Sequence, residues 1–488
     1  MQNTSFLEIM RALDKEELKR FDAFLNSPYF NTRSHVIKLF SVIKKYAPDF
    51  RDTSLDKEEV WKKISPGKDY NYGILKNIIY DITKLAERFL ETEGFIENEP
   101  QRMRNLLIKL GDKHLENIFM NKYNSFEKNY FKSSKFYNEY YSDYIDLKES
   151  RFLMQAFDPK LRSKLISTDI SEMLIFDFIA KFSVNYNNMY IEKTEYNELP
   201  ENDLIKMFSE KVFKDAELEE YAVKLSAGDN RNYKVMLVFF KMMKSYLNPH
   251  SIGIYFDFKK TLFEYDKYIS EAALRSLYAS LGSALDNCKD TQNMNKNREL
   301  FEIISHLVGK NIFLSENGKV IPTLYLLAVK LSGYLKEVEF LEKLIKEFLP
   351  KLDPELQDNF NIYSLAFLHF SRNEFDKALE YTNKISIDTF QMKYFLRNLQ
   401  FIISYEKDDY DMFQYLSDSH RHFLSKNKSV SDSYKESNLK FLNYTNSIFK
   451  LKESKDKKEI DFMKNNVQKD SVVNKQWLLE KIDELKFS

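Results

Sequence analysis

Residues 361–385 read NIYSLAFLHFSRNEFDKALEYTNKI. Leu365 and Ala366 belong to a first apolar helical pattern, and Phe375, Ala378 and Leu379 mark a second one at helical spacing. This segment predicts two amphipathic helices joined by a short turn. A helical hairpin of this kind leaves an apolar face open, so that several hairpins have to stack to bury it, and the stack creates a long groove.

The segments on either side predict further hairpins. Residues 391–423 repeat the arrangement at a shift of 36, with Ile402 in the place of Ala366 and Tyr405 in the place of His369. Residues 322–349 fit two amphipathic helices without closer similarity. The chain from 322 to 423 is therefore expected to form three consecutive helical pairs.

This pattern resembles the tetratricopeptide repeat (TPR), a helix–turn–helix unit of about 34 residues. Leu365 and Ala366 stand where the family has its Leu-Gly pair, His369 where it has Tyr, and Ala378 matches the small residue at the closest helix crossing. The sequence departs from the family because no Pro closes either unit and Gln414 replaces the second small residue. The resemblance implies a surface that binds another protein or a peptide.

Composition extends the helical prediction to the whole chain. Only 10 Gly and 10 Pro occur among 488 residues, which is far fewer than the turns of a β-rich protein of this length require. We expect an all-α fold in which a helical N-terminal module precedes an α-solenoid of stacked helical hairpins that is TPR-like towards the C-terminus. The predicted domains are 1–95, 96–290 and 291–488. The polar stretches 192–203 and 286–297 are candidate boundaries or long loops.

The first 95 residues predict a separate set of helices. Asp14 and Glu17 form a capping-box pattern, residues 26–31 are turn formers, and apolar residues at helical spacing indicate a long helix over 71–92. The segments FLNSPYFN (24–31) and PGKDYN (66–71) are similar to segments shared by a set of uncharacterised bacterial proteins. This resemblance implies no particular activity.

The order of a short helix around Trp61 and a longer helix after it is also similar to that of helix-turn-helix regulators. The longer helix opens with Tyr72, Lys76 and Asn77 as candidate contacts, but it lacks Arg until Arg88, and no wing or arm is evident. Nucleic-acid binding by this module is the alternative function.

The aromatic segment 123–144 carries nine Phe and Tyr residues. Their spacing predicts a helix that neighbouring helices cover on several sides. We interpret the aromatic content of the chain, 15% overall, mainly as core packing and composition, because base stacking also needs a matching basic groove.

The balance of charge and the single cysteine narrow the class of protein. Lys plus Arg equals Asp plus Glu at 74 each, so that no overall field draws the chain to nucleic acid or anionic lipid. Cys288 alone cannot form an intramolecular disulfide, and the N-terminus lacks a signal-peptide pattern. The apolar runs 173–180 and 235–240 are shorter than the ~20 residues of a membrane span. We expect a cytoplasmic protein without a membrane span.

No pattern in the chain predicts a catalytic, cofactor-binding or metal-ligating residue. Only His420 and His422 are close in sequence, and on a helix their side chains point about 200° apart. Cys288 has no recognisable base beside it, and no phosphate-binding glycine loop occurs. The sequence therefore predicts a non-enzymatic interaction scaffold without a cofactor. It does not predict an oligomeric state. The last apolar helix, residues 477–487, is expected to cap the solenoid or to dock a partner.

Overall fold

The computed structural model describes residues 1, 3–51, 55–157, 166–196, 203–289, 294–315, 317–385, 390–426, 431–454 and 456–487. These residues contain 24 α-helices and no β-strand, which confirms the all-α prediction. They form two compact units, one within 1–132 and 146–166, the other within 133–145 and 167–488. The predicted boundaries at 95 and 290 stay predictions.

Seven helices come first in the chain and belong to the first unit. They are α1 (Ser5–Ala12), α2 (Lys15–Asn26), α3 (Ser34–Ile43), α4 (Lys57–Ile64), α5 (Tyr72–Glu97), α6 (Glu99–Asp112) and α7 (Glu116–Phe126). The predicted capping box is present, since Glu16 and Glu17 donate their backbone N–H groups to Asp14 and Glu17 accepts from the Asp14 backbone.

A core of aromatic side chains holds the first unit together. Phe21 lies 5.0 Å from Phe40 and 5.3 Å from Phe89 between ring centroids, and Phe24 lies 5.6 Å from Phe89. All four rings are buried. Helices α2, α3 and α5 are thus joined through edge-to-face contacts, which add to the hydrophobic gain of burial.

Seventeen further helices follow among the described residues. They are α8 (Tyr140–Phe157), α9 (Ile166–Tyr196), α10 (Asp203–Phe213), α11 (Ala216–Ser226), α12 (Arg231–Leu247), α13 (Ile252–Tyr265), α14 (Glu271–Asn287), α15 (Lys296–Gly309), α16 (Pro322–Tyr334), α17 (Val338–Lys343), α18 (Pro354–Ser371), α19 (Phe375–Lys384), α20 (Phe390–Glu406), α21 (Tyr410–Lys426), α22 (Asp432–Ser454), α23 (Lys457–Lys469) and α24 (Lys475–Phe487). Parts of the two predicted boundary stretches, residues 197–202 and 290–293, lie outside the described residues.

The aromatic segment 123–144 is not one helix, as its spacing predicted. Helix α7 ends at Phe126, a wider turn follows over Glu127–Phe131, and α8 begins only at Tyr140. Phe136 lies between these helices in extended backbone, donating to the Tyr268 carbonyl at 2.8 Å and accepting from the Ser270 N–H at 2.7 Å. Pairing with a segment more than 130 residues away interrupts the helix here.

The three predicted hairpins are present as α16–α17, α18–α19 and α20–α21, and α18 packs against α16, α19 and α20. The central turn residues Lys336, Asn373 and Asp408 all have left-handed backbone, with φ of 57°, 59° and 57°. In each turn the next residue donates its N–H to the carbonyl five residues back, at 2.9, 2.9 and 2.8 Å. This is the Schellman termination of a helix, repeated three times without glycine.

Small residues mark close helix contacts in this region. Ala366 on α18 and Ala378 on α19, the residue that the TPR resemblance places at the closest crossing, are both fully buried. A closer approach joins α16 to α18, where a Cβ atom added at Gly333 would lie 2.6 Å from the Phe367 ring. Glycine is therefore required at this crossing by space and not by its own backbone angles.

The last helix, α24, packs on α22 and α23. Leu478 and Ile482 are fully buried, and Trp477 lies edge-on to Tyr405 at 5.2 Å while its indole N–H donates to Glu406 at 3.0 Å. These contacts agree with a covering role for this helix.

In the ranges given above, none of the helices combines the length and the apolar character that crossing a lipid bilayer requires.

Candidate functional site

An apolar cleft lies on the second unit and is formed by α9, α10, α11 and α12. Its volume is about 340 Å³. All nine lining side chains are apolar, and they are Leu174, Ile175, Phe178, Ile179, Phe208, Val212, Leu218, Met236 and Phe240. We call this surface the α9 groove.

The walls of the α9 groove are unusually exposed for large apolar side chains. Leu174 is 52% exposed, Ile175 57%, Phe178 42% and Leu218 37%. Single exposed apolar residues are common on any protein, whereas a contiguous group marks an interaction site or an aggregation hazard.

Aromatic packing fixes the floor of the groove. The Phe178 ring lies 5.3 Å from Phe182 and 5.2 Å from Phe208, and Phe213 lies 5.4 Å from Phe240 below them. Phe213 and Phe240 are fully buried. These close ring contacts join α9 to α10 through Phe208 and α10 to α12 through Phe213, so the base of the groove is closely packed.

A more polar cleft adjoins the groove. It shares Leu174 and Phe178 with the groove and runs along α9 beside Asp177, Lys181 and Asn185. Asp177 accepts from Lys181 at 2.8 Å and from the Ser142 hydroxyl at 3.0 Å, and Lys181 also bonds Ser142. A hydrogen-bonding group thus stands beside an apolar surface, an arrangement that orients a bound molecule.

No family model, no curated protein and no solved structure matches this chain. The likeness to TPR proteins rests on the residues quoted above and on the paired helices.

The TPR-like residues form internal contacts. His369 lies with its Nδ1 2.6 Å from Glu374 and its ring stacked on Tyr381 at 5.2 Å. The hydrogen bond from His369, followed by that from Lys377, lowers the pKa of the Glu374 carboxyl. His369 thus stabilises its own hairpin turn.

The candidate DNA-contacting residues lie on the surface of α5. Tyr72, Lys76 and Asn77 are exposed, but further along Lys84 pairs with Glu87 at 2.6 Å and Arg88 lies over the Phe30 ring. The connection between α4 and α5 has seven residues, longer than the turn of about three to four residues of a helix-turn-helix. These features lend nucleic-acid binding no support, and it stays a prediction.

The chemistry-bearing residues singled out in the sequence are not brought together. His420 is buried whereas His422 is exposed, and Cys288 is buried at the end of α14. Over the described part of the chain no group of three or more His, Cys, Asp or Glu side chains could hold a metal ion.

The two longest apolar runs of the sequence contain most of the residues that line the α9 groove, and the sequence analysis compared these runs only with the length of a membrane span. The runs 173–180 and 235–240 supply six of the nine lining side chains. The available signal was that α9 is apolar over 173–180 apart from Asp177, which predicts a helix covered on most sides. The structure leaves one side of it open.

Proposed function

We propose that this chain is a cytoplasmic, non-enzymatic scaffold that holds a partner protein in the α9 groove. The observation that carries the proposal is the exposure of Leu174, Ile175 and Leu218 in a cleft whose Phe178 and Phe208 rings pack against each other. Covering such side chains with a partner gains about 25 cal/mol for each Å² removed from water.

The partner segment that fits this groove is an amphipathic helix. From Leu174 to Asn185 the groove follows α9 for about 17 Å, which is the length of about three helical turns. A helix of this length presents apolar anchors at positions i, i+4 and i+7. A polar residue on the flank of that helix would meet the Asp177–Lys181 pair.

The paired helices towards the C-terminus support a scaffold role. Helix α18 contacts both α16 and α20, and the hairpin turns repeat one backbone geometry. We propose that these pairs form a TPR-like solenoid, capped by α24, which gives the groove-bearing helices a rigid support.

The first step of the test is to trap and identify the partner. A photo-reactive amino acid is placed at Ile175 of the full-length chain in its native cell, and cross-linked proteins are identified by mass spectrometry. The same group at Phe462, which is 69% exposed on α23, is the matched position outside the groove. A partner specific to Ile175 is expected.

The second step measures binding of the purified partner. The double variant Leu174→Asp/Ile175→Asp is expected to weaken binding at least tenfold, since it places two charges against an apolar helix face. Phe462→Asp is expected to leave the affinity within about twofold of the original chain. Equal affinity of the double variant would refute the groove as the binding site.

The cross-link also separates a foreign partner from self-association. If the protein trapped at Ile175 is a second copy of this chain, and light scattering shows a dimer that the double variant loses, the helical-partner proposal is wrong and the groove is a dimer interface.

A further inference from the structure

The exposed face of α9 carries two apolar side chains that stand between two clefts. Leu174 and Phe178 are four residues apart and line both the α9 groove and the more polar cleft beside it, whose volume is about 400 Å³. Successive residues of an α-helix are about 100° apart. Ile175, one position after Leu174, therefore lies on one side of this pair, and Asp177 and Lys181, three positions after each member, lie on the other. We call Leu174 and Phe178 the α9 ridge and the second cleft the polar cleft.

The α9 ridge determines which rows of side chains a partner helix brings to each cleft. Residues four apart on one helix form ridges that pack between the ridges of a neighbouring helix. A partner helix that takes the α9 ridge between two of its own rows places one row in the α9 groove and the next row in the polar cleft. The first row meets apolar side chains, and the second meets Asp177, Lys181 and Asn185.

The polar cleft has both a donor and an acceptor left for a bound side chain. The Lys181 ammonium carries three N–H groups, and it donates to Asp177 at 2.8 Å and to the Ser142 hydroxyl. The Asn185 amide donates to the Lys181 carbonyl at 2.9 Å, whereas its Oδ1 accepts no hydrogen bond within the described ranges. One N–H of Lys181 and the Oδ1 of Asn185 therefore remain for a ligand.

The charges of the polar cleft balance each other, and this disfavours a charged ligand. Asp177 and Lys181 form an ion pair, so that a carboxylate on the partner would approach Asp177 and an ammonium group would approach Lys181. Placing like charges together at an interface weakens binding. A carboxamide is neutral and has an acceptor oxygen and two N–H donors. Its oxygen matches the remaining N–H of Lys181, and its N–H groups match the Oδ1 of Asn185.

We infer that the partner helix carries a glutamine or asparagine in the row beside its apolar anchors, and that the polar cleft selects this carboxamide. The inference rests on the proposed function, because it describes the helix that the α9 groove binds. A hydrogen bond to a charged group is stronger than one between neutral groups, so Lys181 provides most of the selectivity.

The first part of the test is a selection of helical peptides on the purified full-length chain. A phage-displayed helix has leucine at positions i, i+4 and i+7, and the positions that flank these leucines vary among glutamine, asparagine, alanine, glutamate and lysine. We expect the two carboxamides together to be enriched over each of the other three residues at a flanking position. Loss of binding to Leu174→Asp/Ile175→Asp identifies the peptides that bind in the α9 groove.

The second part is a double-mutant cycle with a selected peptide. Replacing its carboxamide residue by alanine is expected to weaken binding to the original chain about tenfold, as for a hydrogen bond to a charged group. The same replacement should cost less than about twofold on Lys181→Met/Asn185→Ala, where both partner groups are missing. Lys224→Met is the matched control, since Lys224 is exposed on α11 and lines neither cleft, and it should keep the tenfold difference.

The inference and the proposed function fail in different ways. If no selected peptide loses affinity on Leu174→Asp/Ile175→Asp, the α9 groove does not bind helices and both are wrong. If peptides bind in the groove but alanine or a charged residue is enriched at the flanking positions, only the inference is wrong. It is equally wrong if the tenfold difference persists in Lys181→Met/Asn185→Ala. Circular dichroism checks that each variant is folded, as expected for substitutions of exposed side chains.

Discussion

His420 is a buried titratable residue with little polar support. It is 1% exposed, and neither ring nitrogen meets a hydrogen-bond partner in good geometry, although the Asn438 amide is close. Burial and then the Arg397 charge lower the pKa of His420 to about 4. The native state therefore holds this imidazole neutral at pH values where an unfolded chain would protonate it.

This gives a pH dependence with a defined sign. Between about pH 6.5 and 4 the unfolded state binds a proton at His420 that the native state refuses, so stability falls as the pH falls through this window. We expect His420→Phe to remove up to about 3 kcal/mol of this loss. The measurement is urea unfolding at pH 7 and pH 4.5.

The neighbouring His422 provides the control. It is exposed on the other side of α21, so that His422→Phe should keep the pH dependence of the original chain. If both variants show the same dependence, another group causes it. The sequence predicted that the two imidazoles point apart, but it could not show which of them is buried.

At the scale of single elements, the crossing of α16 and α18 depends on Gly333. A methyl group there would lie 2.6 Å from the buried Phe367 ring, which is closer than real Cβ contacts. We expect Gly333→Ala to destabilise the second unit by about 1–3 kcal/mol, since the helices must move apart. Thermal unfolding of both proteins measures this effect.

Gly309, the last residue of α15, is the matched control. An added Cβ meets no atom within 4 Å there. Gly309→Ala should be neutral or stabilising, because alanine is the better helix former. If the two substitutions had equal effects, close packing at Gly333 would not be the cause.

In the hairpin turns, a substitution by glycine is expected to stabilise the fold. Lys336 has a φ of 57°, which costs a residue with a side chain about 1 kcal/mol more than glycine. We expect Lys336→Gly to stabilise the second unit by about 0.5–1 kcal/mol, as measured by the urea midpoint. Lys343→Gly, in the helical backbone of α17, should instead destabilise it by about 1 kcal/mol. A stabilising Lys343→Gly would contradict the conformational explanation.

Most helices of the first 95 residues could be predicted, because their signals are local. The Asp14 capping box, the turn formers after Asn26 and the apolar spacing of α5 act within one or two turns. The prediction of a single helix over 123–144 was wrong because Phe136 pairs with Tyr268 and Ser270. Partners so far away in the chain do not change the spacing of apolar residues within the segment.

At the scale of the whole molecule, the charge balance has a measurable consequence. A chain with 74 charges of each sign has little repulsion between copies near neutral pH, where its pI of about 7.1 lies. We expect Lys122→Glu/Lys458→Glu, which changes the net charge by −4 at two exposed sites, to raise solubility at pH 7 in polyethylene glycol precipitation. Lys122→Arg/Lys458→Arg should not, and equal solubility of the two variants would refute the charge effect.

The all-α fold followed from composition, whereas the α9 groove could not be predicted. Few Gly and Pro residues exclude a β-rich chain whatever the arrangement of the helices. The exposure of Leu174 and Ile175 depends on which helices cover α9, and the apolar run 173–180 is compatible with complete burial. The spacing of residues in sequence contains no information on that choice.

Burial lowers the pKa of Lys330 on α16 to about 8, against partial compensation from Asp286, and this makes the lysine a distinct reagent target. At pH 8 the Lys330 amine is uncharged in about half of the molecules, whereas the amine of an ordinary lysine is uncharged in less than about 1% of them. Acylating reagents attack the uncharged amine, so a brief treatment at this pH should modify Lys330 ahead of the more exposed lysines. A fluorophore attached there would report on the second unit around α16.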